Sequence, residues 1–297
     1  MTLLTHAIVE AEARGAQRSA PSNGGARGAE PLERDGPASP TKTMLFLHGI
    51  LGSGANWRSF AKQFVAVRPE WRAVLVDLRE HGGSQDFAAP HTLRACADDL
   101  LALEREIGPV HGVFGHSFGG KVALEYLFAK KNLEVAWVVD SAPGARPDRR
   151  GSEATVRIVK MLDTLPERFA TREAFVEYVE KQGNERSIAM WLAMNVRPAP
   201  DGNGYTMRVD VAAMRALLDD YFARDAWGIL EDPARTTKVH VVAGGRSNVL
   251  DTGERALAQR LAVGSPDRMW LHVIPQAGHW VHVDAPTELL ELVVHYT

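Results

Sequence analysis

Long apolar runs, paired cysteines and an excess of either charge are all missing from this chain of 297 residues. Each absence closes a class of function. No stretch approaches the ~20 consecutive apolar residues that cross a bilayer, so no integral membrane segment is expected. Cys96 is the single cysteine, which rules out an intrachain disulfide, and its helical surroundings mark it as a small core residue. A reducing, cytoplasmic setting is expected from that thiol and from an N-terminus without a basic start and apolar h-region. The formal net charge of -3 offers no electrostatic footprint for nucleic acid. The 11 histidines fall into no H-E-x-x-H or other metal spacing. There is no P-loop, and no G-x-G-x-x-G opens a strand–helix–strand unit.

What is present is alternation. TMLFLH, RAVLVDL, VHGVFG, VAWVVD, KVHVVAG and RMWLHVI are short, almost continuously apolar runs, the pattern of strands covered on both faces. Helix-period segments lie between most of them, over about 54–66, 92–107, 118–130, 252–263 and 286–296. Strand alternating with helix predicts an α/β fold built on a mostly parallel, doubly wound sheet. One connection breaks the rhythm. Residues 144–233 separate two strands that a single helix could join, and their amphipathic pattern with Met190, Trp191, Met194, Tyr221, Phe222 and Trp227 reads as an inserted helical cap. The core then comprises 43–143 and 234–297. Within residues 1–42, LLTHAIVEA is a candidate edge strand, and the Gly-, Pro-, Ala- and Arg-rich remainder is expected to be a flexible lead-in.

The chemistry centres on Gly115-His116-Ser117-Phe118-Gly119, a G-x-S-x-G pattern with a strand before it and a helix after it. That is the setting of a nucleophile elbow, in which a serine occupies a strained turn at the carboxyl edge of the sheet. A serine hydroxyl needs a base. In RMWLHVIPQAGHWVHVDAP, His279 follows the last strand and precedes the last helix, and is favoured over His282, three residues on. The acid that orients the histidine is placed at Asp140, which ends VAWVVD on the strand beside the nucleophile strand. The competing site is Asp251, after the post-cap strand, where the sequence reads Gly244-Gly245-Arg246-Ser247-Asn248. An oxyanion hole needs two backbone N–H groups. Phe118 supplies one, and Ile50 or Leu51 in the loop after LFLHG supplies the other. His48 and the Asp77-Leu78-Arg79-Glu80-His81-Gly82 loop read as structural supports.

HGILGS, DLREHGGS, GHSFGGK, VVDSAPG, GGRSN and AGHWVH together resemble the α/β-hydrolase superfamily, and within it the branch of YbfF-type bacterial esterases and mitochondrial α/β-hydrolase-domain proteins. The resemblance runs from about Thr43 to the C-terminus, clearer in the core than in the cap. In that branch the acid follows the strand after the elbow and the post-cap loop carries GG-x-S, which matches Asp140 and Ser247. The resemblance implies hydrolysis of small-molecule acyl esters or thioesters without metal or cofactor. An acyltransferase or perhydrolase using the same residues, and a ligand-binding protein of this fold without turnover, are the competing readings.

Overall fold

In the computed structural model, which describes residues 2–12 and 40–297, all six apolar runs form strands of one sheet. The expected lead-in over 13–39 lies outside the described residues. The chain begins with β1 (His6–Val9), β2 (Lys42–Leu47), α1 (Arg58–Val67), β3 (Trp71–Val76), α2 (Leu93–Ile107), β4 (Gly112–His116), α3 (Phe118–Ala129) and β5 (Val135–Val139). It leaves the sheet through α4 (Glu153–Leu162), α5 (Arg172–Lys181), α6 (Arg186–Leu192), β6 (Val196–Pro198), β7 (Tyr205–Met207), α7 (Val211–Ala223) and α8 (Trp227–Glu231). It returns as β8 (Lys238–Gly244), α9 (Thr252–Gly264), β9 (Met269–Ile274), α10 (Val281–Asp284) and α11 (Pro286–Tyr296).

The seven strands lie in the order β1-β3-β2-β4-β5-β8-β9, parallel throughout except for β1, which pairs antiparallel with β3 at one edge. Period-two alternation sorts their side chains. Leu45, Leu47, Val113 and Val138 face a core shared with α2 and α3. Met44, Phe46, Phe114 and Trp137 face a second core, filled by Phe60 and Phe64 of α1 and by Leu289 and Val293 of α11. Both faces are therefore covered, which is why these strands are apolar without a polar side. The strand order reverses at β2, whose neighbours are β3 and β4. In such sheets the crevice beyond the carboxyl ends at that reversal is where ligands bind.

The excursion between β5 and β8 is mainly helical but also contains the two-stranded β6–β7 pair, which the helical pattern does not anticipate. Three-residue strands are too short to show a period, and Pro198 ends one of them. Among the described residues, no helix is long and apolar enough to cross a membrane.

One buried lysine fastens the excursion to the sheet. α3 is surrounded by protein from Phe118 to Leu127, so Lys121 has no water to reach. Its ammonium donates instead to the carbonyls of Gly144 at 2.9 Å, Tyr221 at 2.8 Å and Arg224 at 3.0 Å, matching three donors with three acceptors. Burial pushes its pKa down to about 7. Lys121→Met should strand three buried carbonyls and cost on the order of 3 kcal/mol in urea unfolding at pH 6, where the ammonium is charged. A loss below about 1 kcal/mol would show that this contact does not fasten the excursion.

Candidate active site

Ser117 stands between β4 and α3 with φ 54° and ψ -120°, a backbone region that costs a non-glycine residue roughly 1–3 kcal/mol. The surroundings hold it there. Its N–H donates to the Val139 carbonyl at 2.9 Å, and its own carbonyl accepts from Gly120 N–H at 2.9 Å. A Cβ at Gly115 would come within 2.1 Å of the Gly119 carbonyl oxygen, and one at Gly119 within 2.5 Å of the His48 oxygen. The two motif glycines thus let β4, α3 and the end of β2 close around the turn, and the serine side chain emerges at the N-terminus of a helix, where negative charge is favoured.

Asp140 follows β5 directly, with no solvent exposure and φ 43°. One carboxylate oxygen accepts from Gly244 N–H at 3.0 Å. The other accepts from Ser247 Oγ at 2.6 Å and from His279 Nδ1–H at 2.7 Å. An ionised carboxylate only accepts, so the bond fixes the proton on Nδ1 and leaves Nε2 as an acceptor. Asp251 is elsewhere. It caps α9, accepting from Glu254 N–H at 2.9 Å and Arg150 Nε at 3.0 Å, and the capping bond holds its carboxyl below the usual range. His282 turns away to pack on Trp57, ring centroids 4.6 Å apart.

The loop carrying His279 has a second tether that the sequence does not reveal. His116 Nε2–H donates to the His279 carbonyl at 2.8 Å, across 163 positions of chain. Burial holds this imidazole well below its usual pKa, hence neutral. Arg255 is equally silent in the sequence. It donates to the carbonyls of Gly244 at 2.8 Å and Ser247 at 2.7 Å, bracing the loop that supplies two of Asp140's donors.

The expected oxyanion donors divide. Among the described residues, the N–H groups of Phe118 and Ile50 meet no acceptor, and both residues line the cavity over Ser117. Leu51 is excluded as a donor, because its N–H is already given to His81 Nε2 at 3.0 Å. Its carbonyl accepts from Asn195 Nδ2 at 2.9 Å, and the two bonds hold Leu51 at φ 63°. His81 in turn donates from Nδ1 to the Arg79 carbonyl at 2.8 Å. His48 makes the same kind of bridge, donating to the Gly49 carbonyl at 2.7 Å and accepting from Leu78 N–H at 3.0 Å.

Ser117, His279, Phe118 and Ile50 open on one cavity of about 300 Å³, walled by Ile158, Trp191, Leu218, Tyr221 and Val249. The volume is at the small end of small-molecule sites. Among the described residues, no hydrogen bond joins Ser117 Oγ to the His279 ring, a separation common in such sites without substrate. Nor is any group of three or more His, Cys, Asp or Glu placed to hold a metal ion. A hydroxyl, an imidazole oriented by a carboxylate and two free N–H groups around one cavity are the parts required for acyl transfer.

Comparison with known proteins bears on the family and the fold. Residues 44–292 match the family described as the alpha/beta hydrolase family. The sn-1-specific diacylglycerol lipase ABHD11 of Danio rerio is 27% identical over 272 residues, spanning 88% of this chain and 80% of its own. The 2-succinyl-6-hydroxy-2,4-cyclohexadiene-1-carboxylate synthase of Klebsiella pneumoniae is 26% identical over 259 residues, spanning 83% and 90%. A solved structure of a marine microorganism esterase shares the fold, with a TM-score of 0.78, 20% identity and full coverage of both chains.

The two bridging histidines carry a pH signature. Burial lowers His48 from 6.5 to about 4, and burial with the neighbouring His48 charge lowers His81 to about 3. Below pH 6.5 the unfolded chain takes up protons that the folded chain refuses. Stability from this source is therefore complete above pH 6.5 and is lost as pH falls toward those values. Each histidine should cost about 2 kcal/mol between pH 7 and pH 5. His81→Gln should narrow the difference between unfolding free energies at the two pH values by that amount; an unchanged difference would mean that His81 is not held neutral.

Proposed function

The chain belongs to the alpha/beta hydrolase family, and from that premise we propose that it is a serine hydrolase that cleaves carboxylic esters or thioesters of small to medium acyl groups through an acyl-enzyme. The observation that carries the proposal is the 2.7 Å bond from His279 to the buried Asp140 beside a strained serine on the same cavity. The lipase name of the Danio rerio relative supports an ester substrate.

In this reading Ser117 Oγ attacks the acyl carbon as its proton passes to His279 Nε2. Phe118 N–H and Ile50 N–H receive the charge that develops on the carbonyl oxygen, stabilisation that is usually the largest catalytic contribution. Asp140 keeps the imidazole in its working tautomer and stabilises the imidazolium. Collapse of the tetrahedral adduct breaks the bond to the leaving oxygen or sulfur, which takes the proton from Nε2. Water then gives a proton to Nε2 as it attacks the acyl-serine, and Ser117 departs with that proton. Residues 144–233 act as the cap, whose α4 and α7 wall the acyl pocket and limit its length.

Ser117→Ala should lower kcat on a p-nitrophenyl ester at least ~10³-fold with an unchanged melting temperature, and should abolish labelling by a fluorophosphonate. Near-normal turnover by the purified variant would end the proposal. Asp140→Asn should reduce kcat by up to ~10⁴-fold, whereas Asp251→Asn, changing a helix cap and a surface ion pair, should leave kcat/KM of the folded protein nearly intact. The reverse ranking would move the acid to the post-cap loop.

A further inference from the structure

A second cavity of about 540 Å³ lies beyond the catalytic one, between α1, α6 and α10. The two share Ile188, Trp191 and Trp280. The rings of Trp191 and Trp280 meet edge to face, centroids 5.0 Å apart and planes at 71°, and line both cavities. We propose that this second cavity is the subsite for the uncharged alkyl chain of the alcohol half of an ester, reached past the Trp191–Trp280 pair. The proposal rests on the hydrolase reading above and selects within it an ester of an aliphatic alcohol.

The side of the site on which the cavity lies assigns its occupant. Trp280, which lines it, follows His279 directly in the chain, and His282, which also lines it, comes three residues after His279. His279 Nε2 delivers its proton to the departing oxygen, so the alcohol half of the substrate lies against the imidazole and continues toward these residues. The acyl half is left with the part of the first cavity that the second does not share, lined by Ile158, Leu218 and Val249.

The lining assigns the chemistry. Phe60, Ile188, Val283 and Pro286 join the two tryptophans in presenting apolar surface. The charged residues there are Glu185 and Asp284, and among the described residues no lysine or arginine lines the space. His282 is lowered by burial to about 4 and stays neutral at neutral pH. A leaving group bearing phosphates or a carboxylate would meet two carboxylates and no cation. An aliphatic alcohol loses nothing to them and gains from leaving water with each methylene it adds.

The test compares two ester series, scored as kcat/KM by acid release. In ethyl to octyl butanoate the alcohol grows, and in ethyl butanoate to ethyl octanoate the acyl group grows. With wild-type protein, kcat/KM should rise at least ~10-fold from ethyl to octyl butanoate. Ser59→Trp and Ser187→Trp start from exposed positions on opposite sides of the cavity and fill it without touching the reacting groups. Either should flatten the alcohol series and leave ethyl butanoate and the acyl series unchanged. A flat alcohol series in the wild type, or variants that flatten the acyl series instead, would overturn the assignment. Should no ester be turned over, the hydrolase reading fails instead. Calorimetric titration with 1-octanol then decides the subsite: binding lost in both tryptophan variants supports it, and no binding to wild type, or equal binding to all three proteins, refutes it.

Discussion

Everything at the carboxyl edge of the sheet is organised by one buried carboxylate. An ion with no exposure must recover in hydrogen bonds what it loses in hydration, and Asp140 does so with three donors, one from the last residue of β8 and two from the loops that follow β8 and β9. The loops are also in backbone contact, since a Cβ at Gly244 would lie 2.2 Å from the Gly278 carbonyl oxygen. Strand register makes the convergence possible. Val139 of β5 pairs with Val242 of β8, and Gly244 pairs with Ile274 of β9, so the three strands run out together.

The strain in the site is concentrated on the same edge. Ser117, Leu51 and Asp140 all have positive φ, at 54°, 63° and 43°, without being glycine. Each is a cost that local propensity would avoid, and each is held by contacts made elsewhere in the fold. Val139 and Gly120 hold the serine, His81 and Asn195 hold Leu51, and Val242 accepts the Asp140 N–H at 2.7 Å. Each of the three is thus held by partners from other parts of the fold.

How much of this the sequence discloses depends on distance along the chain. The strands and core helices are legible because burial on two faces leaves a local, periodic trace. The elbow is legible because close approach demands glycine at fixed offsets, and Asp140 because it ends a recognisable strand. The choice between Ile50 and Leu51 is not legible, because it is made by His81, thirty positions away. The tether from His116 and the brace from Arg255 are hidden for the same reason: a histidine or arginine looks alike whether it faces water or a distant carbonyl. The β6–β7 pair leaves no trace because three residues cannot show a period.

The Asn195 bond to the Leu51 carbonyl has a consequence for modularity. Asn195 belongs to the excursion, and Leu51 adjoins Ile50, which lines the same cavity as Ser117. Near its start and its finish the excursion is riveted through Lys121 to the helix that begins beside that serine. Residues 144–233 therefore act as a structural strut. A chimera that exchanged them wholesale for another family member's insert would cut the struts that tie this edge of the sheet to the excursion. Only a donor insert bringing its own amide to Leu51 and its own carbonyls to Lys121 would transplant as an interchangeable part.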